Sequence, residues 1–221
     1  MNRILEIKDG ECQRMNRMGQ IRRAVRKCDN ALWEYRLGIS TRGKSSLGER
    51  QNAGADYNYY ATLPFRSIFR ILRFLSMKDS DIFVDLGCGK GRALCCAARF
   101  ELSEVVGVEY REDLCEQALR NTQRLRGRCA PVSIIQSRVE DFDFSRGSIY
   151  YLFNPFGTAT IERVLTKMRS SLDRQRREVR VAYVNPKHDE MLARTSWLEC
   201  YGELKDSALG EFKATSFWIS R

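Results

Sequence analysis

One stretch constrains the fold of this chain more than any other: Asp81-Ile-Phe-Val-Asp-Leu-Gly-Cys-Gly-Lys-Gly-Arg92, a hydrophobic run that enters a glycine-rich turn. Ile82, Phe83, Val84 and Leu86 suit a short strand buried on both faces, and the Ala93–Phe100 run has the small and apolar residues of a compact helix. Between them lie Gly87, Gly89 and Gly91. Without Cβ atoms the backbone turns sharply there, and a ligand can approach the amides at the start of the helix. A strand, a glycine turn and a helix in this order outline a loop for a nucleotide cofactor.

Spacing narrows the choice of cofactor. Dinucleotide folds use Gly-x-Gly-x-x-Gly, whereas here the third glycine comes one residue early, at Gly91, and Arg92 takes the expected place. That disfavours a nicotinamide oxidoreductase, and the absence of Gly-x-x-x-x-Gly-Lys-Ser/Thr excludes a Walker-type phosphate loop. Asp85-Leu-Gly-Cys-Gly-Lys-Gly resembles the first motif of class I S-adenosylmethionine-dependent methyltransferases. The resemblance implies that Asp85, Gly87, Cys88, Gly89 and Gly91 line the cofactor, with Asp85 helping to hold its cationic amino group. Cys88 reads as packing rather than as a nucleophile. A second apolar run, Val105-Val-Gly-Val-Glu109, ends in an acid 18 residues beyond Gly91. That is close to the roughly 20-residue interval at which a ribose-binding acid closes a βαβ unit, so Glu109 is the candidate acceptor for both ribose hydroxyls.

Downstream of this unit, strand and helix patterns alternate through Ile82–Leu86, Lys90–Phe100, Val105–Glu109, Arg111–Arg126, Val132–Gln136, Ile149–Phe153, Ala159–Leu172 and Val179–Val184. Such alternation predicts an α/β, doubly wound, mostly parallel sheet with helices on both faces. After a short helical piece at Asp189–Arg194, the tail reads as two strands, and the resemblance implies an antiparallel C-terminal hairpin that completes seven strands. Upstream, Phe65, Ile68, Phe69, Leu72 and Leu75 recur at helical spacing, with Arg66, Arg70 and Arg73 on the other side. Residues 1–30 are polar and basic and predict a short, loosely packed helix or a disordered arm. The Gly38–Gly48 loop that follows is a candidate lid. The expected division is a basic N-terminal extension over 1–55 and a methyltransferase domain over 56–221.

In doubly wound sheets the ligand lies beyond the carboxyl ends of the strands. Ser137-Arg-Val-Glu-Asp141 falls at one such end, where the family grips adenine through a backbone amide and an acid. Arg138 stands at the usual acid position, so Val139, Glu140 and Asp141 are the candidates there. Tyr150-Tyr-Leu-Phe-Asn-Pro-Phe-Gly157 falls at the next end and resembles the Asp/Asn-Pro-Pro-Tyr/Phe motif of methyltransferases acting on amino nitrogens, with one proline missing. The resemblance makes Asn154 and the Pro155 carbonyl acceptors for the amine hydrogens and Phe156 an aromatic platform, so that positioning supplies most of the catalysis. Gly38–Thr41, the Phe65 helix, the first motif and Asn-Pro-Phe together look like a small subgroup of class I enzymes. His188, the single histidine, ranks second as a proton acceptor. Thr62 and Tyr60 are implied by resemblance alone to close over the cofactor.

Charge bears on partners. Residues 1–50 carry 12 basic against 6 acidic side chains, while residues 81–221 carry 22 against 20. A basic leader steers nucleic acid or an acidic protein, or is simply a solvated face. The eight cysteines include no Cys-x-x-Cys, so no metal site is expected. No apolar run approaches a membrane span and no secretory leader is evident, so a cytoplasmic protein without membrane attachment is expected. The function expected is methyl transfer from S-adenosylmethionine, more to nitrogen than to oxygen, with the acceptor open among protein, nucleic acid and small amine. The alternative is a non-catalytic methyltransferase-like module that binds a partner through its basic N-terminus.

Overall fold

A computed structural model describes residues 3–43, 62–153, 156–205 and 214–221, with side chains from residue 19 onward. Helix α1 (Arg3–Leu37) is followed by α2 (Phe65–Phe74), β1 (Ile82–Leu86), α3 (Arg92–Ala97), β2 (Glu104–Glu109), α4 (Glu112–Arg124) and β3 (Val132–Gln136). A 3-10 turn (Val139–Asp141), β4 (Ile149–Phe153), α5 (Thr158–Arg174), β5 (Arg180–Val184), α6 (Asp189–Ala193), β6 (Leu198–Leu204) and β7 (Thr215–Ser220) complete the order.

Seven strands form one sheet in the order β3-β2-β1-β4-β5-β7-β6. The first five pair in parallel, and β7 runs antiparallel to both β5 and β6. This is the doubly wound sheet that the alternating pattern predicts, closed by the terminal antiparallel pair that the resemblance implies. Its direction reverses at β1, which pairs with β2 on one side and β4 on the other, so β1 delivers the glycine turn to the topological switch point.

Each face of the sheet is covered by its own apolar layer. Phe83, Val105 and Tyr151 pack under α2, α3 and α4 on one side, and Val84, Val106 and Tyr150 pack against α5 and α6 on the other. The two sets alternate along each strand because successive side chains point to opposite faces. Helix α2 shows the same logic at helical period: Phe65, Ile68, Ile71 and Leu72 are buried while Arg66, Arg70 and Arg73 face out. Each such burial stabilises the fold by about 1.5–3 kcal/mol relative to an exposed side chain. At the amino ends of the strands, Asp81 accepts from Arg180 (2.6 Å) and Ser148 (2.8 Å), which fastens β1, β4 and β5 together at the end opposite the glycine turn.

The N-terminal region differs from the expected short helix over 1–30. One helix runs unbroken from Arg3 to Leu37, because Ala31–Leu37 continues the helical pattern without a breaker. It ends in a Schellman-type cap: Gly38 has φ 75°, the Ile39 amide donates to the Glu34 carbonyl, and the Gly38 amide donates to the Tyr35 carbonyl. Leu37 and Ile39 then enter the core beside α2 and α3. The predicted lid beyond Gly43, together with Tyr60, lies outside the described residues. No described helix is long and apolar enough to cross a membrane.

Candidate cofactor site

The glycine turn is built by backbone demands that only its own sequence meets. Gly87, Gly89 and Gly91 all have positive φ, at 83°, 54° and 78°. The Gly87 and Cys88 amides donate to the Val108 carbonyl (2.8 and 3.0 Å), which lays the turn across the end of β2. Gly91 shows why its early position matters. A Cβ there would stand 3.2 Å from the Ala118 Cβ and 3.3 Å from its Cα, so Gly91 lets α4 close onto the turn. It does the close-packing work of the later glycine in dinucleotide loops, against a different helix. Gly91→Ala is expected to destabilise the protein by about 1–3 kcal/mol, read as a lowered urea midpoint, from left-handed strain plus displacement of α4.

Two acids frame the turn. Asp85, at the end of β1, is 4% exposed, and among the described residues its carboxylate has no hydrogen-bond partner. Burial, with the nearby Glu109 charge adding to it, pushes its carboxyl up to about 8. Glu109, at the end of β2, is 5% exposed and bonded to backbone. Its Oε2 accepts the Gly89 amide and its Oε1 the Arg111 amide, both at 3.0 Å. Burial raises the Glu109 carboxyl, and these amides only partly offset it. A carboxylate has about four acceptor positions, so Glu109 can hold the turn and still accept from a diol.

The remaining predicted residues are placed as follows. Cys88 is buried and burial holds its thiol well above the usual range, so it stays an unreactive packing group. The Ser137 amide donates to the Glu109 carbonyl at 2.9 Å, which brings the start of the 137–141 turn beside Glu109. Within that turn Val139 is buried in the α5-side core, and Glu140 lies 3.5 Å from Arg163 and 3.9 Å from Arg138. Asp141 is exposed and has no side-chain partner among the described residues. Asn154 and Pro155 lie outside the described residues. Phe156 is fully buried in the α5-side core, so in this structure its ring packs the core and offers no face to a planar target. His188 sits at the N-terminus of α6. Among the described residues no cluster of His, Cys, Asp or Glu could hold a metal.

A ring of side chains around the turn was invisible to sequence reasoning. Arg92, read only as a residue standing where a glycine was expected, is 4% exposed. Its Nε donates to Thr41 Oγ1 (2.6 Å), one terminal nitrogen to the Leu63 carbonyl (2.8 Å) and the other to Glu34 Oε1 (3.2 Å). The guanidinium also lies 4.5 Å from the centre of the Phe65 ring. Lys90 donates to the Arg42 and Gly43 carbonyls (3.1 and 3.0 Å). Asn121 of α4 accepts the Ser40 amide and donates to the Ser40 and Lys90 carbonyls. Burial alone would push the Glu34 carboxyl up, but bonds from Thr41 and Arg42 and the Arg92 charge outweigh it and hold it low. Partners up to 81 residues apart leave no local pattern by which sequence could pair them.

Several known proteins share this architecture. A putative RNA methyltransferase from Pyrococcus horikoshii superposes with a TM-score of 0.57 at 18% identity, covering 80% of this chain and 94% of its own. An RNA methyltransferase from Salinibacter ruber, solved with S-adenosyl-L-homocysteine, superposes with a TM-score of 0.52 at 19% identity, covering 72% and 92%. The fold is that of the class I methyltransferases. The family model described as histone methylation protein DOT1 matches residues 44–152, which include the glycine turn, Glu109 and the 3-10 turn. A protein-lysine N-methyltransferase from Saccharolobus islandicus (strain REY15A) is 30% identical over 95 residues. That match covers 42% of this chain and 58% of the relative, less than two thirds of its length. The residues of the turn fit S-adenosylmethionine. A buried carboxylate without a described partner suits an ammonium group, and a carboxylate with spare acceptor positions suits a ribose diol.

Proposed function

We propose that this chain is an S-adenosylmethionine-dependent methyltransferase whose acceptor is a nitrogen, namely the side-chain amine of a lysine in a protein. The observation that carries the cofactor is the buried Asp85 carboxylate, without a hydrogen-bond partner among the described residues, beside a glycine turn locked by Glu109. The protein-lysine acceptor is supported by the DOT1 match over 44–152 and by the lysine-methylating relative. When bound, the cofactor supplies an electrophilic methyl group on a sulfonium.

This chain's residues bind and orient. Asp85 takes the cationic amino group, Glu109 takes the ribose hydroxyls while keeping the Gly89 amide in place, and the Val139–Asp141 turn meets the adenine. Once the lysine ammonium has given a proton to solvent, Asn154 and the Pro155 carbonyl accept the two remaining amine hydrogens and aim the nitrogen lone pair. The exposed Arg22, Arg23 and Lys27 of α1 support recruitment of an acidic partner, protein or nucleic acid.

Calorimetry tests the cofactor: micromolar binding of S-adenosylmethionine and none of a nicotinamide dinucleotide is expected. A labelled-methyl assay on a mixed protein fraction then reads the acceptor, with label expected on lysine. Asn154→Ala is expected to bind the cofactor as wild type does and to lose at least about 100-fold in transfer, in keeping with the loss of a positioning group. Full transfer by this variant, or label on RNA and none on protein, would sink the acceptor assignment.

A further inference from the structure

We infer that Arg92 and Lys90 are positioning residues through which the end of α1 and the 40–43 segment hold the cofactor turn in shape, so that cofactor binding and docking of this segment are linked. The inference rests on the cofactor reading above and adds to it a role for residues that do not touch the ligand.

The geometry is unusual in how completely it ties one short segment to one turn. Ser40 is held through Asn121, which also holds the Lys90 carbonyl. Thr41 is held by Arg92 and Glu34 together. The carbonyls of Arg42 and Gly43 are held by the Lys90 ammonium. Leu63, just ahead of α2, is held by the same guanidinium that reaches Thr41. Thus every described residue from Ser40 to Gly43 is tied to Lys90, Arg92 or a side chain bonded to them. Lys90 and Arg92 flank Gly91 and follow Gly89, whose amide Glu109 holds. The turn is therefore held both by Glu109, at the end of β2, and by the segment that follows α1.

The chemistry explains the residue types. A guanidinium offers five donors in a fixed fork, so one Arg can serve a hydroxyl, a carbonyl and a carboxylate from three parts of the chain at once. Lysine in its place keeps the charge but cannot span these partners. An ammonium suits position 90, where two carbonyls of adjacent residues converge on one point. Both groups are buried, and each would be costly to leave unpaired, so the segment and the turn are held or released together. Linkage then requires reciprocity: a ligand that favours the ordered turn favours the docked segment by the same factor.

The test uses the full chain, with S-adenosylhomocysteine as probe, and reads calorimetric affinity and amide exchange over residues 38–43. Ligand is expected to slow exchange at 40–43 in the wild type. Arg92→Ala and Lys90→Met are each expected to weaken binding about tenfold or more and to abolish that ligand-dependent slowing, with Arg92→Lys in between. Arg66→Ala serves as control, since it removes the exposed Arg66–Asp29 tie between α1 and α2 without touching the turn, and it is expected to bind as wild type. Wild-type exchange at 40–43 that ignores the ligand, or Arg92→Lys and Lys90→Met binding within twofold of wild type, overturns the inference while leaving the cofactor reading intact. If Arg92→Ala does not fold, the wild-type exchange and the two other variants decide. A wild type that binds no S-adenosylhomocysteine overturns the cofactor reading and the linkage with it.

Discussion

Asp85→Asn is expected to make the free protein more stable and its grip on the cofactor weaker. In the folded chain the Asp85 carboxyl is pushed up to about 8 by burial and by Glu109, so the native state keeps a proton that the unfolded chain gives up near pH 4. Between those values the unfolded state binds fewer protons than the native state, and stability falls as pH rises, levelling off above about 8. Asparagine carries no such cost. Relative to wild type, the variant is expected to be level at pH 4 and more stable by about 1–3 kcal/mol at pH 7, with the Asp85 share of the pH slope removed. Binding moves the other way. A cationic amino group stabilises the ionised carboxylate, so wild-type affinity should rise with pH up to about 8 and release a proton below it. The variant should lose that pH dependence along with about 10–100-fold in affinity, the usual worth of a charge-assisted hydrogen bond. Thermal melts from pH 4 to 8 and calorimetry in buffers of different ionisation enthalpy check both halves. Equal melting temperatures at pH 7 would show that burial does not raise the Asp85 carboxyl, and wild-type affinity in the variant would show that Asp85 is not the ammonium acceptor.

Glu109→Ala is expected to have the largest effect of any single change in the turn. Each carboxylate oxygen accepts one backbone amide, from Gly89 and from Arg111. Deleting the side chain strands both donors, at about 1–3 kcal/mol for each that stays dry. It also removes the proposed ribose acceptor, so cofactor affinity should fall by at least about 100-fold, two charge-assisted bonds at once. Glu109→Gln separates these contributions. Its amide oxygen can serve one backbone N–H while its NH2 group meets the other as donor against donor, so the isosteric change should still destabilise the turn. Either variant should also lower the Asp85 carboxyl, because the Glu109 charge helps to hold it up. Proton release on ligand binding near neutral pH should shrink accordingly, which calorimetry reads directly. Wild-type affinity in Glu109→Gln would remove Glu109 from both roles.

How much of this follows from the chain alone depends on the range of the interaction. Strand, turn and helix over 82–97, the acids at the ends of β1 and β2, and the two faces of α2 rest on hydrophobic period and on glycine placement, which act over a few residues and stand in the sequence. The two terminal strands, β6 and β7, stand in the local pattern of the tail, whereas their antiparallel pairing is implied by resemblance to a family with that topology. Other features required the folded molecule. Glu140 reads as a candidate acid for adenine until α5 brings Arg163 within 3.5 Å of it, and Phe156 reads as an aromatic platform until the fold buries it in the α5-side core. Arg92 is one more arginine in a basic chain until the fold brings Glu34, Thr41 and Leu63 around it.

The sequence by itself therefore determined the class of fold and the place where a cofactor would sit, because backbone conformation and strand burial are paid for locally, residue by residue. Only the tertiary structure decided what each charged side chain does: which acid is buried without a partner among the described residues, which is locked to backbone, and which arginine is buried as a clamp. A buried charge is defined by partners that the chain brings from far away, and no spacing within the sequence records them.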